Sequence, residues 1–248
     1  MYFDMHVHIL FTSWMDAGKS DPEKTKRQLL GFGIGKAAIS AIDALVRDDH
    51  RNHQVTNEKI LRLCEDNKNF FYPFITVSPE DPEYAVAEIK KYAGKAKGVK
   101  LHPWLQGFSL THPGLAPVFE ELSGLNLPVL FHDGTPPYAT PFQVGYLAGK
   151  FPKVKMILGH SGLKDLWQEA IETAVEHKNI YLCTCSATFF AMLQIVKRIG
   201  SDRILFGTDA GFGDINCIWY NLEKVLNLPV SDKAKEKILF KNAFEMIG

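Results

Sequence analysis

The chain is poor in cysteine, carries no net charge and contains no long apolar run. Its four cysteines, Cys64, Cys183, Cys185 and Cys217, are spread over 248 residues. Their spacing is not that of a zinc ribbon, a thioredoxin-like centre or a disulfide framework. Cys183 and Cys185, in NIYLCTCS, fall on one face of an expected strand, where buried free thiols are common. Twenty-eight basic residues balance 28 acidic ones, so electrostatics provide no reason to expect nucleic acid or an anionic membrane as partner. No run approaches the roughly 18 apolar residues of a membrane span. The N-terminus lacks the basic region, apolar stretch and small-residue cleavage site of a secretory signal, and reduced thiols fit the same compartment, so the expected location is cytoplasmic. No low-complexity linker or shift in composition marks a boundary, and one domain is expected over 1–248.

With 46% hydrophobic and 23% charged residues, the composition is that of a globular protein long enough to bury a large core. Eight short β-rich runs recur: FDMHVHI (3–9), GKAAISA (35–41), FFYPFITVS (70–78), GVKLHP (98–103), LPVLFHDG (127–134), KMILGHSG (155–162), IYLCTCS (180–186) and RILFGTDAG (203–211). The segments between them read as helices with start signals. Asp81 followed by Pro82 opens one, with Gly94 past its end, and Thr56 or Asn57 is expected to cap another over 56–67. A further helix is expected near DPEKTKRQLLGFG. Strands alternating with helices imply parallel pairing through crossovers. Eight such units in about 250 residues predict an α/β protein of the (β/α)8 TIM-barrel class. The runner-up, a doubly wound open sheet, more often shows a Gly-rich phosphate turn after its first strand; here that strand ends in His-x-His.

Nine histidines make a chance His-x-His pair an event expected about 0.3 times in this chain, so His6 and His8 alone decide nothing. Alternation places Tyr2, Asp4, His6 and His8 on one strand face and Val7 on the other. In a barrel of this class, catalytic side chains project from the C-terminal ends of the strands. Lys100 and His102, His132, His160 and Asp209 all fall at such ends, as His6 and His8 do. Seven metal- or proton-active side chains at one end of five strands form a pattern that a single structural histidine does not produce.

This ordered set, with GVKLHP, LPVLFHDG, ILGHSG and LFGTDAG, resembles the amidohydrolase superfamily. The nearest branch is the amidohydrolase 2 group related to aminocarboxymuconate-semialdehyde decarboxylase, and NEKILRLCEDNKNFFYPFITVSPEDPEYAVAEI also resembles it. The resemblance implies that His6, His8, His132 and Asp209 hold a metal, with Asp209 and His160 catalytic. It also implies that Lys100, His132 and His160 hold a second ion if one is present. Lys100 is the ambiguous position: some members carry a carboxylated lysine there, and His102, on the same face, is the alternative occupant. One ion is favoured over two.

Imidazoles and a carboxylate suit Zn²⁺, with Mn²⁺ or Fe²⁺ as alternatives. Such an ion brings the pKa of its water near 7, with Asp209 taking the proton and His160 orienting water or oxyanion. Asp4 and Asp133 are candidate acceptors for the ligand imidazoles. Loop residues His102, Trp104, Gln106, Phe108, Arg47, His50, Arg51 and His53 are candidate substrate contacts, an arginine there being suited to clamp a carboxylate. FTSWMD and GFGDINCIWYN are candidates for an aromatic wall.

The resulting expectation is a metal-dependent hydrolase of a C–N or C–O bond in a small cyclic or carboxylated substrate. The alternative is a metal-dependent decarboxylase on the same scaffold. A phosphoesterase of the PHP type also opens on His-x-His, but it ends in an Asp-x-His pair that TDAG lacks, and a non-catalytic metal-holding barrel has no positive support. The partner is a small molecule, and the sequence leaves a homodimer open.

Overall fold

Each β-rich run becomes a strand in the computed structural model, which describes residues 1–12, 20–45 and 51–248, with only the helical backbone at 51 and 52. The strands are β1 (Tyr2–Ile9), β2 (Ile34–Ala41), β3 (Phe71–Thr76), β4 (Gly98–Leu101), β5 (Val129–Phe131), β6 (Met156–Leu158), β7 (Ile180–Cys183) and β8 (Ile204–Leu205). They pair in chain order, each parallel to the next. Beyond β8 the chain runs along β1: Met5 N–H donates to Phe206 O (2.8 Å), Asp209 N–H to His6 O (2.8 Å) and His8 N–H to Ala210 O (2.7 Å). These bonds and the Val7–Ala210 bridge close the sheet, and the expected (β/α)8 TIM barrel is the fold. Several strands are shorter than their β-rich runs, because the run continues into the polar turn that carries the site residues.

Around the barrel lie α1 (Pro22–Gly31), α2 (Arg51–Asp66), α3 (Pro82–Tyr92), α4 (Pro103–Gln106), α5 (Leu115–Leu125), α6 (Pro141–Lys150), α7 (Trp167–Glu176), α8 (Phe189–Ile199) and α9 (Asn216–Leu226). The chain then runs through α10 (Asp232–Glu236), a π-helical segment Lys237–Lys241, and α11 (Asn242–Ile247). Asp81 caps α3 as expected, accepting from Tyr84 N–H, and Thr140 with Gln143 forms a capping box on α6. The cap expected at Thr56 or Asn57 is overturned, since α2 starts at Arg51. Asn57 instead pins β3, accepting from Thr76 N–H at 2.8 Å and donating to Thr76 O at 2.9 Å. A side chain that satisfies a neighbouring strand is unavailable to cap its own helix.

Two apolar layers separate the strands from their surroundings. Phe3, Met5, Tyr72, Phe74, Leu130, Ile157 and Leu205 fill the barrel interior, and Ile247 of α11 packs against them. Val7, Ile9, Ile39, Val99, Phe131 and Leu158 face the helices. Phe108, expected as a substrate contact, belongs to this outer core at 2% exposure. Among the described residues no helix is long and apolar enough to cross a membrane.

The alternation expected along β1 breaks. Asp4 pairs with Ala37 but Val7 with Ile39, so three steps on β1 match two on β2. One extra residue in a strand is a bulge, which switches the face presented to the interior. Phe3 and Met5 point inward before it, and His6 and His8 after it; Tyr2 packs on the outer layer, not beside the histidines. Asp4 holds the bulge, accepting from His6 N–H at 3.0 Å, Thr208 N–H at 3.1 Å and Thr208 Oγ1–H at 2.5 Å.

Candidate active site

The bulge delivers two imidazoles to the C-terminal mouth of the barrel. His6 Nε2 and His8 Nε2 lie 3.1 Å apart. Asp209 Oδ1 is 3.1 Å from His8 Nε2 and 3.6 Å from His6 Nε2. Two ligands about 2.1 Å from a common ion are separated by about 3.0 Å at a right angle and about 3.4 Å at the tetrahedral angle. The three observed separations therefore match the edges of a coordination polyhedron, and all three ligand atoms fall within 4.8 Å of one another.

Protonation fits as well. His6 Nδ1 is 3.2 Å from Gly159 O, which can only accept, so the proton sits on Nδ1 and the Nε2 lone pair faces His8 and Asp209. Gly159 makes this approach available, because a Cβ there would lie 3.1 Å from His6 Cε1 and 2.3 Å from Phe131 O. His8 Nδ1 has Ser40 Oγ at 3.1 Å. Burial lowers the pKa of both rings, keeping them neutral. Burial alone would raise Asp209, but the His8 hydrogen bond and the neighbouring imidazoles hold it well below the usual carboxylate range. A neutral, neutral and anionic donor set is what a divalent cation requires.

Lys100 reaches the same point from β4, with Nζ 3.0 Å from His6 Nε2 and no exposure. Burial lowers its ammonium to about 8, with Asp209 opposing. Its neighbour His102 does not take its place. Instead His102 Nδ1 accepts from Leu105 N–H at 3.3 Å to cap α4, and its ring stacks on His132 at 3.8 Å. His132 lies beside the His6, His8 and Asp209 group rather than within it. Its Nδ1 is 2.8 Å from His160 Nε2. The His160 ring centroid is 4.9 Å from that of His6. Burial lowers His160 to about 4 and His132 further.

Neither Asp4 nor Asp133 accepts from a ligand imidazole. Asp133 takes the backbone N–H groups of His160 and Gly162, each at 2.6 Å. The two carboxyls orient the chain that carries the histidines, while a backbone carbonyl and a hydroxyl orient the rings of His6 and His8. Burial raises Asp4 to about 7 and Asp133 to about 6.

Two further groups complete the floor, both at the end of β7, the strand whose residues were read only as structural. Cys185 Sγ–H donates to Gly159 O at 2.7 Å, with its sulfur 3.2 Å from His6 Nδ1 and 3.4 Å from His160 Nδ1. Ser186 Oγ is 3.0 Å from His160 Nδ1. The strand-end rule that found the histidines would have found both.

Above Asp209, whose side chain is 32% exposed, opens a cavity of about 740 Å³ that Ser186, Thr188, Lys164, Phe212 and Tyr220 also line. Gln106, expected to contact substrate, ties its own loop by accepting from His102 N–H and donating to Val77 O. Trp104 stands 53% exposed on α4, 6.1 Å from the His102 ring. His53 is buried in α2. Arg47 and His50 lie outside the described residues, as do the Arg51 side chain and most of FTSWMD.

The amidohydrolase family model, of the amidohydrolase 2 branch, matches residues 3–248. The chain belongs to this enzyme family. Solved structures with the same fold include 2,6-dihydroxybenzoate decarboxylase from Rhizobium, at 16% identity and TM-score 0.78 over 99% of this chain and 98% of that one. 5-Carboxyvanillate decarboxylase from Sphingomonas paucimobilis is 12% identical with TM-score 0.79, over 99% and 98%. A dihydroxybenzoic acid decarboxylase from Polaromonas sp. JS666, with bound manganese and the inhibitor 2-nitroresorcinol, is 17% identical with TM-score 0.79, over 99% and 96%.

Proposed function

We propose that the protein is a metal-dependent decarboxylase of a small aromatic or otherwise unsaturated carboxylic acid, the expected alternative rather than the expected hydrolase. The observation that carries the reading is a cavity lined by Phe212, Tyr220 and Asp209, whose Oδ1 lies 3.1 Å from His8 Nε2 and 3.6 Å from His6 Nε2. The fold's likeness to decarboxylases of hydroxylated benzoates supports it.

His6, His8 and Asp209 would hold the ion, with the His132 imidazole beside them. Bound there, a divalent cation would supply Lewis-acid attraction for the substrate's carboxylate. Mn²⁺ and Zn²⁺ both suit this donor set. Phe212 and Tyr220 would cover the ring and exclude water. Asp209, ionised and facing the cavity, takes a proton from the entering acid or from solvent and returns it to the carbon that loses carbon dioxide. The C–C bond breaks, its electron pair stays on that carbon, and the delivered proton replaces the carboxyl group.

Protein purified without added metal should hold close to one equivalent of a divalent ion, lost in His6→Ala. A panel of hydroxylated benzoates should release carbon dioxide, with activity removed by chelation and restored by Mn²⁺ or Zn²⁺. Cleavage of lactones or amides without carbon dioxide release would return the assignment to the hydrolase. About two equivalents of metal would implicate Lys100 in a second site.

A further inference from the structure

Lys224 places a cation where interiors ordinarily exclude one. It sits on α9 at 3% exposure, and no carboxylate among the described residues pairs with it. A buried charge is tolerated only when its hydrogen-bonding capacity is fully met. Here it is met. The ammonium donates to Thr184 O and Ala187 O at 2.6 Å each and to Asn221 Oδ1 at 2.8 Å. No other side chain brings three donors to one atom: an amide nitrogen has two, a hydroxyl has one, and guanidinium donors spread over a plane.

The direction of every bond in this group is fixed by its atoms. An ammonium can only donate, and a backbone carbonyl can only accept. Asn221 Nδ2 faces two carbonyls, Cys217 O at 2.8 Å and Thr208 O at 3.3 Å, which leaves its Oδ1 for Lys224.

The group holds the ends of two barrel strands. Thr184 O and Ala187 O flank Ser186, which lines the cavity with φ +61°. The peptide joining Thr208 to Asp209 is gripped on both sides: its N–H donates to His6 O at 2.8 Å, and its C=O accepts from Asn221. Asp209 also has φ +61°. Left-handed residues other than glycine are uncommon and persist where the surroundings enforce them. Fixing this peptide plane fixes the direction in which the Asp209 side chain leaves the backbone, and with it the 3.1 Å approach of Oδ1 to His8 Nε2.

We infer that Lys224 is a positioning residue of the active site: its three donors seat α9 on the end of β7 and, by way of Asn221, aim the Asp209 carboxylate. Its consequences for metal affinity and turnover rest on the proposed function; the seating of α9 does not.

Lys224→Ala tests this with added amines. n-Propylammonium replaces the lost atoms from Cγ to Nζ and carries three donors, whereas trimethylammonium has equal size and charge but one donor. Cys217 lines the cavity on α9, and its carbonyl is the other acceptor of Asn221, so its alkylation rate reads the seating of that helix. In Lys224→Ala, Cys217 should label about 10-fold faster, while Cys64, buried on α2, stays unlabelled. Zinc affinity from chelator competition should fall about 10- to 100-fold, as should kcat on whichever benzoate the wild type turns over, with KM little changed. n-Propylammonium should reverse these losses and trimethylammonium should not. Lys224→Met, of similar length and without donors, should show the same losses with no rescue, and it serves where the alanine variant does not fold. Equal rescue by both ions, no rescue by n-propylammonium, or wild-type labelling and zinc affinity in a folded Lys224→Met would each overturn the inference. A wild type that binds no zinc or turns over no benzoate would count against the proposed function, with Cys217 labelling and its donor-specific rescue still deciding the role of Lys224.

Discussion

Asp4 joins the two halves of the candidate metal site, and its removal should show this in both stability and metal affinity. Its carboxyl accepts from His6 N–H, Thr208 N–H and Thr208 Oγ1–H, tying the bulge of β1 to the residue before Asp209. Asp4→Ala strands three buried donors at roughly 1 kcal/mol or more each, a loss of about 3 kcal/mol. Asp4→Asn keeps an acceptor for the two N–H groups, and the Thr208 hydroxyl can rotate, so the loss should be about 1 kcal/mol.

The pH dependence isolates the part of this stability that comes from the carboxyl's ionisation. Burial raises the Asp4 pKa from 3.8 to about 7, so between these values the folded state binds a proton that the unfolded state does not. Stability from this group is present at low pH and is lost as pH rises from about 4 through 7. At 1.36 kcal/mol per pKa unit the change is at most about 4 kcal/mol. The stability difference between wild type and Asp4→Asn, from urea unfolding of chelator-treated protein at pH 5 and 8, should therefore shift against the wild type at the higher pH. A difference that stays flat, or favours the wild type more at pH 8, would refute this account of the buried carboxyl.

Gly211 has φ +125°, and a Cβ there would lie 2.0 Å from His8 O. Gly211→Ala should thus open the seam between β8 and β1, lowering metal retention and the melting temperature together, as metal analysis and calorimetry would record. Cys183 and Cys185 have no exposure, burial pushes the Cys185 thiol well above its usual range, and Cys64 is also buried. Alkylation of the native protein followed by peptide mass mapping should therefore modify only Cys217 among the four; rapid labelling of Cys185 would contradict the closed floor beneath His6.

The fold was legible because every strand announces itself locally. Apolar runs of strand length, separated by capped amphipathic segments, admit few topologies, and the barrel sends all strand ends the same way. That polarity made His6, His8, Lys100, His132, His160 and Asp209 readable as one group. Less legible was which of them meet. His132 shares the mouth with His6 and His8, yet its ring bonds to His160 and stacks on His102. Lys100 rather than His102 lies against His6 because α4 takes His102 for its cap.

What the sequence determined by itself is therefore the repeating alternation of strand and helix, and the chemistry available at the strand ends. Both are properties of short segments, written in side-chain periodicity and residue type. The bulge that turns His6 and His8 inward, the carboxyl of Asp4 bridging residues 6 and 208, and the hydroxyl of Ser186 against His160 were decided only by the tertiary structure. Each depends on a contact between strands distant in sequence, and a hydrogen bond's direction is set by what the partner atom can accept. No local pattern encodes that.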